Sequence, residues 1–293
     1  MSFFISGKDM IEHAHKNQYS IGAFSAHNAE TIQGILWAAE EESSPVMIQV
    51  GQKAIQYMGM ERMQKMIELF SSDITVPISI HLDHSREYKQ TLKAIQLGFQ
   101  SVMFDGSSLP FDENVRITKK VVENGSLLNI GVEGEIGTIG GIEDDITVAQ
   151  EDVNITSVEE AATFSSRTAV DYLAISMGTA HGLYKSPPKL RFQRLKEISG
   201  EVKKPIVLHG GSSVPDDQVR KAISLGISKI NVDTELRQSF TLGVQEVFHN
   251  HPEEWHLAVS LKSGRDRVKE KVKEKIQLFG SSQKANQFKR FCK

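Results

Sequence analysis

The sequence predicts an α/β protein: a (β/α)8 TIM barrel in one domain, residues 1–293, with a C-terminal amphipathic helix. Three observations predict it. Eight short apolar, β-branched runs alternate with stretches of helical spacing, the pattern of parallel βαβ units. The runs are almost uninterruptedly apolar, as strands buried on both faces are. They also fall within about 215 residues, the length over which a closed barrel is completed. A doubly wound sheet would want a Gly-rich first turn with an acidic residue on the next strand, and GAFSAHN (22–28) is no such turn.

In chain order the runs are SIGAF (20–24), PVMIQV (45–50), PISIHL (77–82), SVMFD (101–105), LLNIGVEGE (127–135), DYLAIS (171–176), PIVLHG (205–210) and KINVD (229–233). Between them Ile32, Ile35 and Leu36, and later Leu92, Ile95 and Leu97, recur at helical spacing. Segment 136–157 is longer than an ordinary barrel connection. Its glycines (Gly137, Gly140, Gly141) and the acidic residues from Glu143 to Glu151 predict a mobile active-site loop. Segment 265–280 sets Val268, Val272 and Ile276 at i, i+4 among charges, which predicts a helix packing its apolar stripe on its own barrel.

Composition narrows the partners. A net charge of −3 and a pI near 6.4 leave no basic field, so no nucleic-acid partner is expected. The one cysteine, Cys292, excludes a disulfide framework and suits a reducing compartment. No apolar run approaches a membrane span, and the first residues are too broken by charge for a signal peptide. A cytoplasmic address without a membrane partner is the expectation.

A barrel gathers its functional side chains at the C-terminal ends of the strands. Of ten histidines, His13, His15, His249, His251 and His256 lie in helical or surface stretches and are read as solvated. His81 and His84 end the third strand, His181 follows the sixth and His209 ends the seventh. Any one of these alone reads more simply as a structural histidine. His84, His181 and His209 meeting at one rim suit a zinc-like cation with positions left open for substrate. His81, three residues before His84, is read as supporting.

Asp83 and Asp105 end the third and fourth strands, and Glu133 and Glu135 the fifth. HGL (181–183), HGGSS (209–213) and NVDTE (231–235) follow strands, and the loops after strands seven and eight are a barrel's usual phosphate site. Glycine there lets free amides approach a ligand. A cation, a phosphate cradle and carboxylates together point to enolate chemistry. A Schiff-base lysine is the other route, but no strand ends in lysine, and Lys229 begins its strand at the opposite rim.

HLDHS (81–85), MFDGSSLPFDEN (103–114), VEGEIGTIGGIEDD (132–145), AISMGTAHGLY (174–184), VLHGGSSVPDD (207–217) and KINVDTEL (229–236) resemble, in order, the class II, metal-dependent ketose-bisphosphate aldolases. These include the fructose- and tagatose-bisphosphate enzymes, and the likeness covers almost the whole chain. It implies a catalytic Zn2+, with Co2+ or another divalent ion able to replace it, on His84, His181 and His209. Asp105 and Glu135 would lie beside that metal or serve a second position. Asp83 matches the aspartate that moves the C4 hydroxyl proton, and Glu143, on the lid, the glutamate that moves the C3 proton of dihydroxyacetone phosphate.

Gly182, Gly210, Gly211, Ser212, Asn231, Val232, Asp233 and Thr234 match the dihydroxyacetone phosphate site, near which a monovalent cation, Na+ or K+, often sits in the family. Asn28 keeps a family asparagine. Arg265 matches an arginine that reaches the distal phosphate, in some members from a neighbouring subunit, and a homodimer or homotetramer is implied.

Ser25, Gly51 and His256-Leu257-Ala258 depart from common family residues and bear on the second substrate. The expected reaction is reversible cleavage of fructose or tagatose 1,6-bisphosphate to dihydroxyacetone phosphate and glyceraldehyde 3-phosphate. An aldolase for a phosphorylated keto-deoxy sugar acid of inositol breakdown would share every motif. A metal-dependent barrel isomerase or epimerase would need no lid glutamate. A non-catalytic partner subunit of an aldolase assembly would be expected to lack Asp83 or a metal histidine, and none is missing here.

Overall fold

The computed structural model describes residues 3–143, 146–148, 154–182 and 188–290. Its strands are β1 (Ile21–Ser25), β2 (Val46–Val50), β3 (Ile78–Ser85), β4 (Ser101–Phe104), β5 (Gly131–Ile136), β6 (Gly140–Glu143), β7 (Ile146–Val148), β8 (Tyr172–Ile175), β9 (Ala180–His181), β10 (Ile206–Leu208) and β11 (Ile227–Val232). Its α-helices are α1 (Gly7–Lys16), α2 (Ala29–Glu41), α3 (Gln52–Met58), α4 (Met60–Phe70), α5 (Tyr88–Gln96), α6 (Phe111–Ser126), α7 (Val158–Thr168), α8 (Phe192–Val202), α9 (Asp216–Ser224), α10 (Thr234–Asn250) and α11 (Leu257–Phe279).

Eight of the strands close a parallel barrel in the order β1-β11-β10-β8-β5-β4-β3-β2, and each corresponds to one of the eight runs read in the sequence. Alternation divides the strand residues between two cores. Ile48, Ile80, Leu82, Val102, Val132, Leu173, Leu208 and Ile230 face the helix layer. Ala23, Met47, Tyr172, Ala174 and Val207 face inward, where Met10, Ile11 and Ala14 of α1 join them. Helix α1 thus plugs one end of the barrel with apolar side chains. Ser6 caps it by accepting from the Lys8 amide, and Gly7 N–H donates to Gln100 O at the base of β4.

The third strand continues to Ser85, beyond the run expected to end at Leu82. Helix α11 begins at Leu257 rather than 265. Its stripe Val268, Val272 and Ile276 is buried, as the spacing predicts, and the helix packs on α10 and α2. Gly34 of α2 admits Val268 there, because a side chain at 34 would press on that valine and on the Arg265 carbonyl.

Segment 136–157 carries secondary structure of its own. β6 pairs antiparallel with β7 and parallel with β9, setting Gly141 opposite His181. Residues 144–145 and 149–153 of that segment lie outside the described residues. Among the described residues no helix is long and apolar enough to cross a membrane.

Candidate active site

The end of β3 builds the centre of the site. Asp83 and His84 are consecutive, so regular alternation would send one inward and the other into the helix layer. The β3–β4 register shifts between Leu82 and Ser85, and His84 takes φ +45°. This bulge turns both side chains into the barrel, where Asp83 is 4% and His84 5% exposed. A left-handed φ costs a non-glycine residue on the order of 1–2 kcal/mol. Gln52 helps to hold it: its side-chain amide donates to Asp83 O at 2.8 Å, and Gln90 donates to Gln52 at 2.9 Å.

Around His84 stand the groups that could hold a metal. His84, Glu135 and His209 are buried, and one ligand atom from each lies within 4.8 Å of the others. Glu135 Oε2 is 3.7 Å from His84 Nδ1 and 3.5 Å from His209 Nδ1, and the two rings meet edge to face with centroids 4.6 Å apart. Two imidazoles and a carboxylate are a donor set suited to a borderline divalent cation.

Asp105 stands beside this group. Its Oδ2 is 3.0 Å from His84 Nδ1, while Oδ1 accepts from the Ser107 amide and hydroxyl. Burial opposes its charge, but hydrogen bonds from His84 and Ser107 hold the carboxyl well below the usual range. His181 ends β9, next to β6; its side chain, like that of Glu143 at the end of β6, lies outside what the structure describes.

Beneath the donor group lies a buried polar layer. Glu133 Oε1 is 2.8 Å from His209 Nε2, and its Oε2 pairs with Lys229 Nζ, also at 2.8 Å. Burial works against the Glu133 charge, yet Lys229 and His209 hold the carboxyl below its ordinary range. His209 is pushed down to about 4 by burial, with Glu133 pulling the other way. His81 sits between Asp83 and Glu133, at 3.7 and 3.6 Å, and its Nδ1 is 2.6 Å from Ser101 Oγ, which also meets the Tyr172 hydroxyl. Burial, and then the Lys229 charge, keep His81 neutral far below its usual pKa. Asn231 donates to Asp83 Oδ1 at 3.3 Å.

The glycine loops close over this layer. Gly211 N–H donates to Asn231 O, tying the loops after β10 and β11 together. Gly210 has φ +63°, and a Cβ there would collide with the Ala180 carbonyl. Ser212 is buried and its hydroxyl accepts weakly from the Glu235 amide at 3.4 Å. Val232 ends β11 with its side chain in the helix-facing core, and Thr234 opens α10. Asp233 pairs with His27 at 2.7 Å and with Arg237 at 2.8 Å. Gly182, with φ +94°, follows β9.

Two residues named in the sequence stand differently. Asn28 caps α2, its oxygen accepting from the Thr31 amide at 2.9 Å. Arg265 lies apart from the others, on the outer helix layer, where it pairs with Asp266, reaches Gln33 and covers the Trp37 ring at 4.4 Å.

The sequence profile of class-II fructose-bisphosphate aldolases matches residues 5–284. A sulfofructosephosphate aldolase of Alkalicoccus urumqiensis is 59% identical over 285 residues, covering 97% of this chain and 99% of that protein. The chain belongs to the class-II fructose-bisphosphate aldolase family. A fructose-bisphosphate aldolase of Geobacillus stearothermophilus is 43% identical over 286 residues, covering 97% of this chain and 99% of that protein. The crystal structure of the YdjI aldolase of Escherichia coli K12 superposes with a TM-score of 0.86 at 35% identity, covering 97% of this chain and 100% of that one.

The protein is therefore a class II aldolase, a lyase of a metal-dependent family acting on sugar phosphates, and the donor group above fits such a metal. Four side chains of this aldolase's site escaped the sequence reading. Lys229 was set aside for its place at the far end of a strand, yet its long side chain climbs to Glu133 and Asn231. Its position two residues before Asn231 in KINVD was the available signal, since residues two apart on a strand share a face. Gln52 and Ser101 gave no signal, being ordinary polar residues beside turns. Gln49 faces inward beside His81 in the register, with neither amide atom hydrogen-bonded among the described residues. Conversely, His13 and His15 are not simply solvated. They are half-buried on the inner side of α1, bonded to Tyr19 at 2.9 Å and Ser228 at 3.0 Å.

Proposed function

We propose that this aldolase reversibly cleaves a ketose 1-phosphate carrying a second anionic group at its far end. The products are dihydroxyacetone phosphate and a three-carbon aldehyde bearing that group. The observation that carries the reading is the buried His84–Glu135–His209 donor group with Asp83 beside it on the same bulge. His84, His209 and, from β9, His181 would hold Zn2+, with Glu135 close enough to join them and Asp105 acting through His84. The bound cation supplies Lewis-acid polarisation of the substrate ketone.

Asp83 takes the proton from the C4 hydroxyl as the C3–C4 bond breaks. The bonding pair passes to C3, and Glu143 on the 136–157 lid delivers a proton there. In the synthetic direction each group reverses its part. Asn231 and the loop Gly210–Gly211–Ser212 receive the dihydroxyacetone phosphate half, with Gly182 and the Val232–Thr234 turn around it and a monovalent cation, Na+ or K+, beside the phosphate. Asn28 lies at the same rim. Arg265, on the outer helix layer against Gln33 and Trp37, would serve the distal anion of a neighbouring subunit in a homodimer or homotetramer.

For the distal group, the 59% identity to a sulfofructosephosphate aldolase against 43% to a fructose-bisphosphate aldolase favours a sulfonate. Gly51, which brings no hydroxyl to a distal phosphate, points the same way. The test is a coupled assay of dihydroxyacetone phosphate release from sulfofructose phosphate, fructose 1,6-bisphosphate and tagatose 1,6-bisphosphate. The highest kcat/KM is expected for the sulfonate. A clear preference for either bisphosphate overturns the substrate, and no product from any of the three overturns the reaction.

A further inference from the structure

We propose that Lys229 is a positioning residue for the aldol step, fixing the side-chain amide of Asn231 so that its NH2 faces Asp83. The proposal rests on the reading of Asp83 as the proton-transfer group.

Lys229 lies low on β11, in register with Ile21 and Val207, and none of its side chain reaches solvent. Its Nζ is 2.7 Å from Asn231 Oδ1 and 2.8 Å from Glu133 Oε2. An ammonium has three donors and no acceptor, so only the oxygen of the Asn231 amide can face it. The chemistry of Lys229 therefore settles which way round that amide sits. The NH2 is turned away from the lysine and toward Asp83 Oδ1, 3.3 Å off. Without the ammonium the amide could rotate by half a turn and set its oxygen against the carboxylate.

The same Nζ holds Glu133, whose other oxygen is 2.8 Å from His209 Nε2 in the donor group. One cation thus ties the proton-transfer carboxylate to the metal-donor group through two intervening side chains. Stability alone does not call for such an arrangement. A buried ion pair exchanged for apolar groups of similar volume is commonly neutral or even stabilising.

The alternative is a purely structural Lys229–Glu133 pair. Removing Lys229 alone would strand a buried carboxylate, so the comparison is made in the Glu133→Gln background. Four full-length, zinc-loaded proteins form the cycle: E133Q, E133Q/K229M, E133Q/N231A and E133Q/K229M/N231A. Each is assayed for bound zinc and for kcat and KM with the fastest of the three ketoses above. Lys229→Met is expected to lower kcat about 10–100-fold with Asn231 present, at equal zinc content and with KM little changed. In the Asn231→Ala background the same change should cost less than about twofold, because its effect is already gone. An equal loss in both backgrounds, or a loss confined to KM, overturns the proposal.

A second comparison leaves Lys229 and Glu133 in place and so stands even if the cycle proteins fold poorly. Asn231→Asp keeps an oxygen for the lysine and replaces only the group facing Asp83. Its kcat should fall below that of Asn231→Ala; an equal or higher kcat overturns the donor role. Asp83→Ala, run in parallel, separates the two readings. Wild-type turnover in that variant sinks the Asp83 assignment, whereas lost turnover with an additive cycle sinks only the role of Lys229.

Discussion

Removing the Asp105 carboxylate should weaken zinc binding without touching the acid–base step. Asp105 is 4% exposed and places Oδ2 3.0 Å from His84 Nδ1, while both donors of Ser107 converge on Oδ1. The Ser107 bonds steady the carboxylate; the His84 contact orients the imidazole. A hydrogen bond to a charged group contributes about 1.5–3 kcal/mol. Much of that is spent aiming the ring, so Asp105→Ala should loosen zinc by about 10–100-fold, or about 1.4–2.8 kcal/mol. Asp105→Asn keeps an acceptor for His84 and should lose less.

The assay is competition with a chromophoric zinc chelator, followed by kcat at saturating zinc, which should recover most of the wild-type value. Zinc affinity within about twofold of wild type in the alanine variant would refute the reasoning. So would a lost kcat at full zinc occupancy, which would place Asp105 in the chemistry instead.

Asp83→Ala should keep near-normal zinc while turnover falls by roughly 10²–10⁴-fold, the scale of a positioned acid–base group; steady-state kinetics beside metal analysis checks both. A strong chelator should abolish activity and zinc or cobalt restore it, and borohydride with substrate should leave the enzyme active. Turnover surviving thorough chelation would remove the metal from the reaction. His81 gives a pH prediction. The unfolded chain protonates it near about 6.5, while in the fold burial and Lys229 keep it neutral well below that. The unfolded state then binds more protons, so stability held at neutral pH is lost as pH falls through about 6, by up to about 1.4 kcal/mol per unit. Denaturant midpoints of the zinc-free protein across that range should fall less steeply in His81→Gln than in wild type, and parallel slopes would refute the assignment.

Strand positions were legible because burial on both faces leaves few alternatives to β-branched runs, and each of the eight runs lies in the barrel. The rim residues followed from the barrel rule once the strands were placed: Asp83, His84, Asp105, Glu135 and His209 converge although the chain scatters them. Missing was whatever depends on side-chain reach rather than on position along a strand. Lys229 opens the run read in the sequence, but β11 begins two residues earlier at Ile227, and from its third position the long side chain reaches Asn231. Alternation alone could not show that Asp83 and His84 both face inward, since that needs a bulge whose cause lies in packing. The capping role of Asn28 was visible in principle, as asparagine is a favoured N-cap residue.

The interior of this barrel is divided in a way that stability alone would not produce. Its closed end is packed with Met10, Ile11, Ile21, Ala23 and Met47, as a barrel core ordinarily is. Its open end holds the carboxyl groups of Asp83, Asp105, Glu133 and Glu135, each at most 4% exposed. Two permanent cations meet them among the described residues: Lys229, fully buried against Glu133, and the partly exposed Arg86, whose Nε is 3.8 Å from Asp105 Oδ2; burial holds His81 and His209 toward the neutral form. Desolvating carboxylates in such excess costs several kcal/mol apiece unless positive charge arrives. A divalent cation held by the His84–Glu135–His209 donor group would supply that charge. The same imbalance is why Lys229 can matter: it is the fully buried cation of the layer, and its ammonium meets both Glu133 and Asn231. The sequence hints at this in KINVD, where a lysine two residues before an asparagine shares its face of the strand.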